Sequence, residues 1–186
     1  MEESGMRAFI AVDVPEQIKK GIIGTAHLLN ESNVRFAKPE QLHITLFFFE
    51  KATEEQLGKV KQLMEGLQTV PFDVALEGFG AFTSDHPHVI FVGISDMGAL
   101  SEIYGALEPG IKQAGIEIED RKFTPHLTVG RVKNRGRRAE LEIKEFIDAH
   151  DLDKFGSFKC AEINLIKSTL TGAGPVHETL FTKKLG

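Results

Sequence analysis

The chain has 186 residues, with 41% hydrophobic and 26% charged; this suits one large globular domain or two small lobes sharing a cleft. A net charge of −5 excludes nucleic-acid binding through overall basicity, so any such contact must come from a local basic patch. A single cysteine, Cys160, excludes an intrachain disulfide and fits the cytosol. Met1 to Gly5 is polar and acidic, unlike a signal peptide, and no apolar run is long enough for a membrane span.

In chain order, Arg7 to Val14 alternates and predicts a strand ended by Pro15. Pro15 to Glu31 reads as a helix, with Pro15 in its first turn, Ile18, Ile22, Ala26 and Leu29 at helical spacing, and His27 at the surface or the boundary. Val34 to Phe36 is a short extended piece. Leu42 to Glu50 is a strand whose Phe47-Phe48-Phe49 tail predicts burial on both faces. Thr53 to Leu67 reads as a helix opened by a Thr53/Gln56 capping box. Phe72 to Phe82 is a strand interrupted by Gly78 and Gly80, which suggests a bulge or a close backbone approach. Thr83 to Pro87 is a turn and Val89 to Ile94 an apolar strand. His86 and His88, with only Asp85 beside them, read as a solvated turn rather than a metal site.

Gly98 to Ala114 predicts a helix stopped by Gly115, with Pro109 kinking or breaking it. Glu117 to Lys122 is a charged connection, and His126 to Val132 a strand. Lys133 to Arg138 is a basic loop before a helix over Ala139 to His150. Ser157 to Leu170 alternates as one long strand that includes Cys160, a small buried residue rather than a nucleophile. A turn at Thr171 to Pro175 then leads into a last strand, Val176 to Leu185, completing a hairpin. Strands and helices do not alternate strictly, which favours an α+β fold with largely antiparallel sheets flanked by helices.

Two strands carry the same pattern: His43-Ile44-Thr45-Leu46 and His126-Leu127-Thr128-Val129. Alternate side chains of a strand share a face, so each buries two apolar residues and presents an imidazole beside a hydroxyl. The repeat suggests two similar lobes, each giving one strand to a shared groove. Two histidines facing across a groove form a metal-free acid–base pair, because imidazole exchanges protons near neutrality. Thr45 and Thr128 can donate to phosphate oxygens where transition-state charge builds. This set suits phosphodiester cleavage: a base for water, an acid for the leaving alkoxide and donors for the oxyanions. Arg131, then Lys133, Arg135, Arg137 and Arg138, form a cationic run in an acidic chain. Arg131, nearest the motif, is the candidate phosphate ligand, and the rest read equally as an RNA-backbone contact or a solvated loop.

At these residues the sequence resembles the bacterial and archaeal 2′–5′ RNA ligase family, RNA 2′,3′-cyclic phosphodiesterases of the two-histidine phosphoesterase superfamily. The resemblance runs from Arg7–Asp13 through Val34–Phe36 with Pro39–Leu46, Gly80–Phe82 with Val89–Gly93, and Phe123–Arg131, to Lys167–Leu170 with Gly174–Val176. It implies one bilobal α+β domain over residues 1–186, an active-site groove between the lobes, no metal and no cofactor. His43, Thr45, His126, Thr128 and Arg131 would surround the scissile phosphate. It further implies that His43 protonates the leaving O3′ while His126 activates water, giving a 2′-phosphate. Run backwards, the same site would join a cyclic phosphate end to a 5′-hydroxyl in a 2′–5′ linkage without ATP. His177 stands where a tyrosine is expected. The expected partner is an RNA ending in a 2′,3′-cyclic phosphate, such as a tRNA fragment, met by a cytoplasmic monomer with no membrane contact. The alternatives are an esterase for a small cyclic nucleotide or for 2′–5′ oligoadenylate, and a non-catalytic RNA-binding module.

Overall fold

The computed structural model describes residues 5–83, 86–118, 122–172 and 174–186. Nine strands are assigned among them: β1 (Met6–Asp13), β2 (Val34–Phe36), β3 (His43–Ala52), β4 (Phe72–Phe82), β5 (Val89–Ile94), β6 (Leu127–Val132), β7 (Lys154–Cys160), β8 (Glu162–Thr171) and β9 (Gly174–Lys184). The α-helices are α1 (Glu16–Ala26), α2 (Glu54–Glu65), α3 (Gly98–Gln113) and α4 (Arg137–His150), and a 3₁₀ turn, Pro39–Gln41, precedes β3. The fold is α+β, as its pattern of elements predicts. The strands run in the order β7-β4-β5-β6-β3-β1-β8-β9, with β2 beside β6, and their pairings are antiparallel.

The sheet has two halves. β3 is in register with β1 along most of its length, but it meets β6 at the single pair Ile44↔Leu127. This seam divides β3-β1-β8-β9 from β7-β4-β5-β6 and β2. The halves are interleaved along the chain, since α1 packs on β6 and β7 although it follows β1, and α3 packs on β3 although it follows β5. One apolar core joins them. It takes Ile22 from α1, Val60 from α2, Leu107 from α3 and Ile143 from α4, together with Ile44 and Leu127 of the seam. All four helices therefore cover the same face of the sheet. Among the described residues, the buried cluster on the other face is small, Phe9, Ala11 and Ile166. Ile44 and Leu127 are both wholly buried, so truncating the seam leaves a cavity. Leu127→Ala is expected to cost about 2–5 kcal/mol. Denaturant unfolding measures this, and a loss below about 1 kcal/mol would show that the seam is not a packing centre.

Several predicted elements take a different form. α1 stops at Ala26, with Pro15 as its N-cap and the exposed His27 as its C-cap. The Asn30 side chain accepts from the Ser32 N–H at 2.9 Å, turning the chain before Glu31 can extend the helix. α3 continues through Pro109. The capping box of α2 forms as read: the Gln56 N–H donates to Thr53 Oγ1 and the Thr53 N–H to Gln56 Oε1. The bulge read at Gly78 also forms, between Glu77 and Phe79, with Gly78 at φ 69°.

The Phe47-Phe48-Phe49 tail is not buried on both faces. Phe47 and Phe49 are buried, while Phe48 is 39% exposed under the Arg7 guanidinium, 5.2 Å from its ring centroid. The alternating run from Ser157 to Leu170 is two strands. It breaks at Ala161, so that β7 pairs with β4 at one end of the sheet and β8 with β1 and β9 toward the other. The basic loop ends earlier than predicted, because Arg137 and Arg138 lie in the first turn of α4. Asp85, the middle of the predicted 117–122 connection (residues 119–121) and Ala173 of the 171–175 turn lie outside the described residues, as do residues 1–4.

Candidate active site

The seam positions the two motifs. Ile44 and Leu127 point into the core as register partners, so the alternating His43, Thr45 and Thr128 emerge, half-buried, on the open face. His126, just before β6, is half-buried beside them. The antiparallel sense places His43 on the Thr128 side of that pair and His126 on the Thr45 side. The histidines thus sit on a diagonal, each with the other strand's hydroxyl across from it.

Arg131 reaches the same face through a bulge. Strict alternation would put it with Val129, inside the core. β6 shifts register against β5, with Ile90 opposite Gly130 and Phe91 opposite Thr128. Val129 and Gly130 are consequently both buried, and Arg131 is exposed. β3 carries the matching irregularity against β1 at Leu46, which brings Phe48 to the open face. Glycine is required at 130: a Cβ there would lie 2.7 Å from Val34 Cγ1 and 3.1 Å from the Arg35 carbonyl oxygen of the neighbouring strand β2, whose Phe36 is its register partner.

Each imidazole is held from behind. His126 Nδ1 lies 2.8 Å from the Thr124 carbonyl oxygen; an Nδ1–H donates there and leaves Nε2 free to accept a proton. The ring packs against Phe82 at 4.7 Å and Phe91 at 5.4 Å between centroids. His43 likewise hydrogen-bonds to the backbone of the residue two before it, Gln41. It stacks on Phe9 at 4.6 Å, with His177 edge-on at 5.7 Å. Behind this pair runs a polar chain centred on the buried Asn164. Thr182 Oγ1 donates to Asn164 Oδ1 at 2.6 Å, and Asn164 Nδ2 donates to Asp13 Oδ2 at 3.1 Å. Asp13 is in turn the register partner of His43.

Burial pushes the His43 imidazole down to about 4, with His177 and Lys19 acting in the same direction against the Gln41 hydrogen bond. Burial also lowers His126, opposed by the Thr124 hydrogen bond and assisted by the Arg131 charge. His177 is lowered by burial and raised by Asp13. The folded chain thus holds a neutral His43. That contribution to stability is present above the ordinary value of 6.5 and is lost as the pH falls through about 4. A bound phosphate reverses the local balance, since a neighbouring anion favours imidazolium.

Of the residues expected from sequence, His43, Thr45, His126, Thr128 and Arg131 all reach this face. Phe9, Phe82, Phe91 and Arg35 join them and had carried no individual signal in the sequence. His177, noted only as a departure from an expected tyrosine, keeps a ring against His43. Cys160 is buried and its thiol is raised to about 11, which fits an inert packing residue. His86 Nδ1 lies 3.0 Å from Glu140 Oε1. Among the described residues no group of three or more His, Cys, Asp or Glu is placed to hold a metal ion. No helix among them is long and apolar enough to cross a membrane.

An antiparallel sheet with two histidine–threonine strands meeting on its uncovered face defines a class of phosphoester chemistry rather than one substrate. The 2′-5′ RNA ligase superfamily matches residues 15–172, and the chain belongs to it. Among its relatives, the RNA 2′,3′-cyclic phosphodiesterase of Archaeoglobus fulgidus is 32% identical over 177 residues, covering 94% of this chain and 98% of the relative. The protein of the same name from Methanocaldococcus jannaschii is 34% identical over 176 residues, with 94% and 98% covered. Escherichia coli LigT, in a crystal structure with 3′-AMP, has the same fold at a TM-score of 0.80 and 21% identity, with 97% of this chain and 98% of LigT covered. TT0787 of Thermus thermophilus matches at a TM-score of 0.80 and 26% identity, with the same coverage.

Proposed function

We propose that this protein is an RNA 2′,3′-cyclic phosphodiesterase that opens a terminal cyclic phosphate to a 2′-phosphate. The observation that carries this reading is the pair of His-x-Thr strands at the seam, each imidazole tied by a hydrogen bond to the backbone two residues earlier. The relatives that share the family and carry that name support it. In this reading the phosphate sits between the histidines. His126 Nε2 takes a proton from water as its oxygen bonds to phosphorus, and His43 gives a proton to O3′ as the P–O3′ bond breaks. Thr45, Thr128 and Arg131 donate to the non-bridging oxygens. The chain acts as one two-lobed domain, residues 1–186, a cytoplasmic monomer meeting RNA such as a tRNA fragment. With a 5′-hydroxyl in place of water, the same steps form a 2′–5′ linkage.

The test is a product assay on an RNA ending in a 2′,3′-cyclic phosphate that resolves 2′- from 3′-phosphate. A 3′-phosphate product, or no product, would overturn the reading. Turnover is expected to survive EDTA, because two imidazoles and three donors complete the proton transfers without a Lewis acid. Loss of activity in EDTA with recovery on adding a divalent metal would contradict this.

The pH dependence follows from the lowered imidazoles. The profile of kcat/KM, which reports the free enzyme, should be bell-shaped with its maximum on the acidic side of about 6.5. That of kcat should peak at higher pH, since the bound anion stabilises the imidazolium. The limbs belong to the pair rather than to single residues. Steady-state rates from about pH 4 to about pH 9 check this, and a kcat maximum lying below that of kcat/KM would refute it.

A further inference from the structure

Across the two strands β2 and β6, Arg35 and Arg131 are direct register partners. Both are exposed, and direct partners in an antiparallel pair share a face, so two arginine side chains leave adjacent positions on the open face. Lys133, two positions beyond Arg131, is also exposed, and Arg135 continues the run. Like charges at directly opposed positions repel. Among the described residues, no carboxylate pairs with Arg35, Arg131 or Lys133. β2 is only three residues long; its Val34 is buried against Val132, and Arg35 is its contribution to the open face. The strand holds a second cation against the first, an arrangement that an anion lying between them would relieve.

The reaction geometry says which anion. Resting on the phosphodiesterase reading, O3′ leaves toward His43, so the ribose bearing the cyclic phosphate lies on that half. The attacking oxygen approaches from the opposite side of phosphorus, on the His126 half. β6 and β2 belong to that half. Water needs no cationic ridge. A nucleophile carried by a polyanion does.

We propose that Arg35 and Lys133, flanking Arg131, form a subsite for the backbone phosphates of a second RNA strand, the one whose 5′-hydroxyl attacks in place of water. In the joining direction the 5′-oxygen bonds to phosphorus, its proton passes to His126, the P–O3′ bond breaks and His43 protonates O3′. In the cleaving direction the 3′-hydroxyl of a 2′–5′ linkage attacks phosphorus and gives its proton to His43. The P–O5′ bond then breaks and His126 protonates O5′. Arg131 stays with the reacting phosphate, while Arg35 and Lys133 hold the next ones. These contacts are to phosphate and carry no base sequence.

The experiment uses the full chain as wild type, Arg35→Gln and Lys133→Gln. Each is assayed on 2′–5′-linked RNAs whose strand downstream of the linkage is lengthened stepwise, and on hydrolysis of an RNA ending in a cyclic phosphate. Wild-type kcat/KM for cleavage should climb with downstream length. Each variant should lose that gain by about tenfold relative to its effect on hydrolysis, the size of one charge-assisted contact, with a shallower salt dependence for the long substrate. Because Lys133 lies outside β2, agreement of the two variants separates the subsite from any disturbance of that short strand. Equal losses on cleavage and hydrolysis would place Arg35 on the strand bearing the cyclic phosphate and overturn the proposal. A wild type that opens the cyclic phosphate but ignores downstream length overturns the subsite and leaves the phosphodiesterase reading standing. A wild type that opens no cyclic phosphate overturns both.

Discussion

His43→Ala is expected to lose about 10²–10⁴-fold in rate on a cyclic phosphate and to regain most of it, relative to wild type, on a nitrophenyl phosphodiester. The two substrates differ in their leaving group. O3′ departs as a strongly basic alkoxide and needs a proton as the P–O bond breaks, whereas a nitrophenolate leaves without one. His126→Ala should stay impaired on both, because water still needs a base in either reaction. The surroundings of the two rings are alike enough that sequence gives no reason to distinguish them: each hydrogen-bonds to the backbone two residues earlier and packs on aromatic rings. Positive charge acts on both rings, from His177 and Lys19 at His43 and from Arg131 at His126. At His126 it favours the neutral imidazole that a base requires. His43 must gain its proton in the complex, against burial that holds it near 4 in the free protein, and the bound phosphate supplies the compensating charge. Competition between the ester and the cyclic substrate checks that both occupy one site. Rescue of His126→Ala instead would exchange the two roles, and rescue of neither would remove the kinetic case for His43 as proton donor.

The second large effect is expected at the hydroxyls. Thr45→Val and Thr128→Val keep the side-chain shape and remove only the donor. Each should lower kcat by about 10²-fold, with a smaller change in KM, because charge on the non-bridging oxygens grows toward the transition state. Thr→Ser at either position restores a hydroxyl and should recover most of the rate. If Ser is as damaging as Val, the position acts through packing. If Thr128→Val keeps the wild-type kcat, that hydroxyl does not contact the developing charge.

How much of this was legible in the sequence depends on the range of the interaction involved. Alternation along a strand is local, so the two motifs, their apolar partners and the faces they present could be read directly from His43–Leu46 and His126–Val129. The capping box at Thr53 and the glycine bulge at Gly78 are local too, and both form as read. Which strands become neighbours is not local. Only the folded chain brings Ile44 against Leu127 and sets the histidines on a diagonal. It also splits the alternating run at Ala161 between opposite parts of the sheet, because a break in pairing partner leaves no mark on a period of two. Arg131 was chosen from sequence for its nearness to the motif, yet strict alternation would bury it, and its exposure depends on a register shift against β5. Arg35 was invisible as a site residue until β2 was laid beside β6. The sequence by itself determined the chemical groups and the strands that carry them. Tertiary structure decided their neighbours, because cross-strand pairing and bulges depend on contacts between residues far apart in the chain.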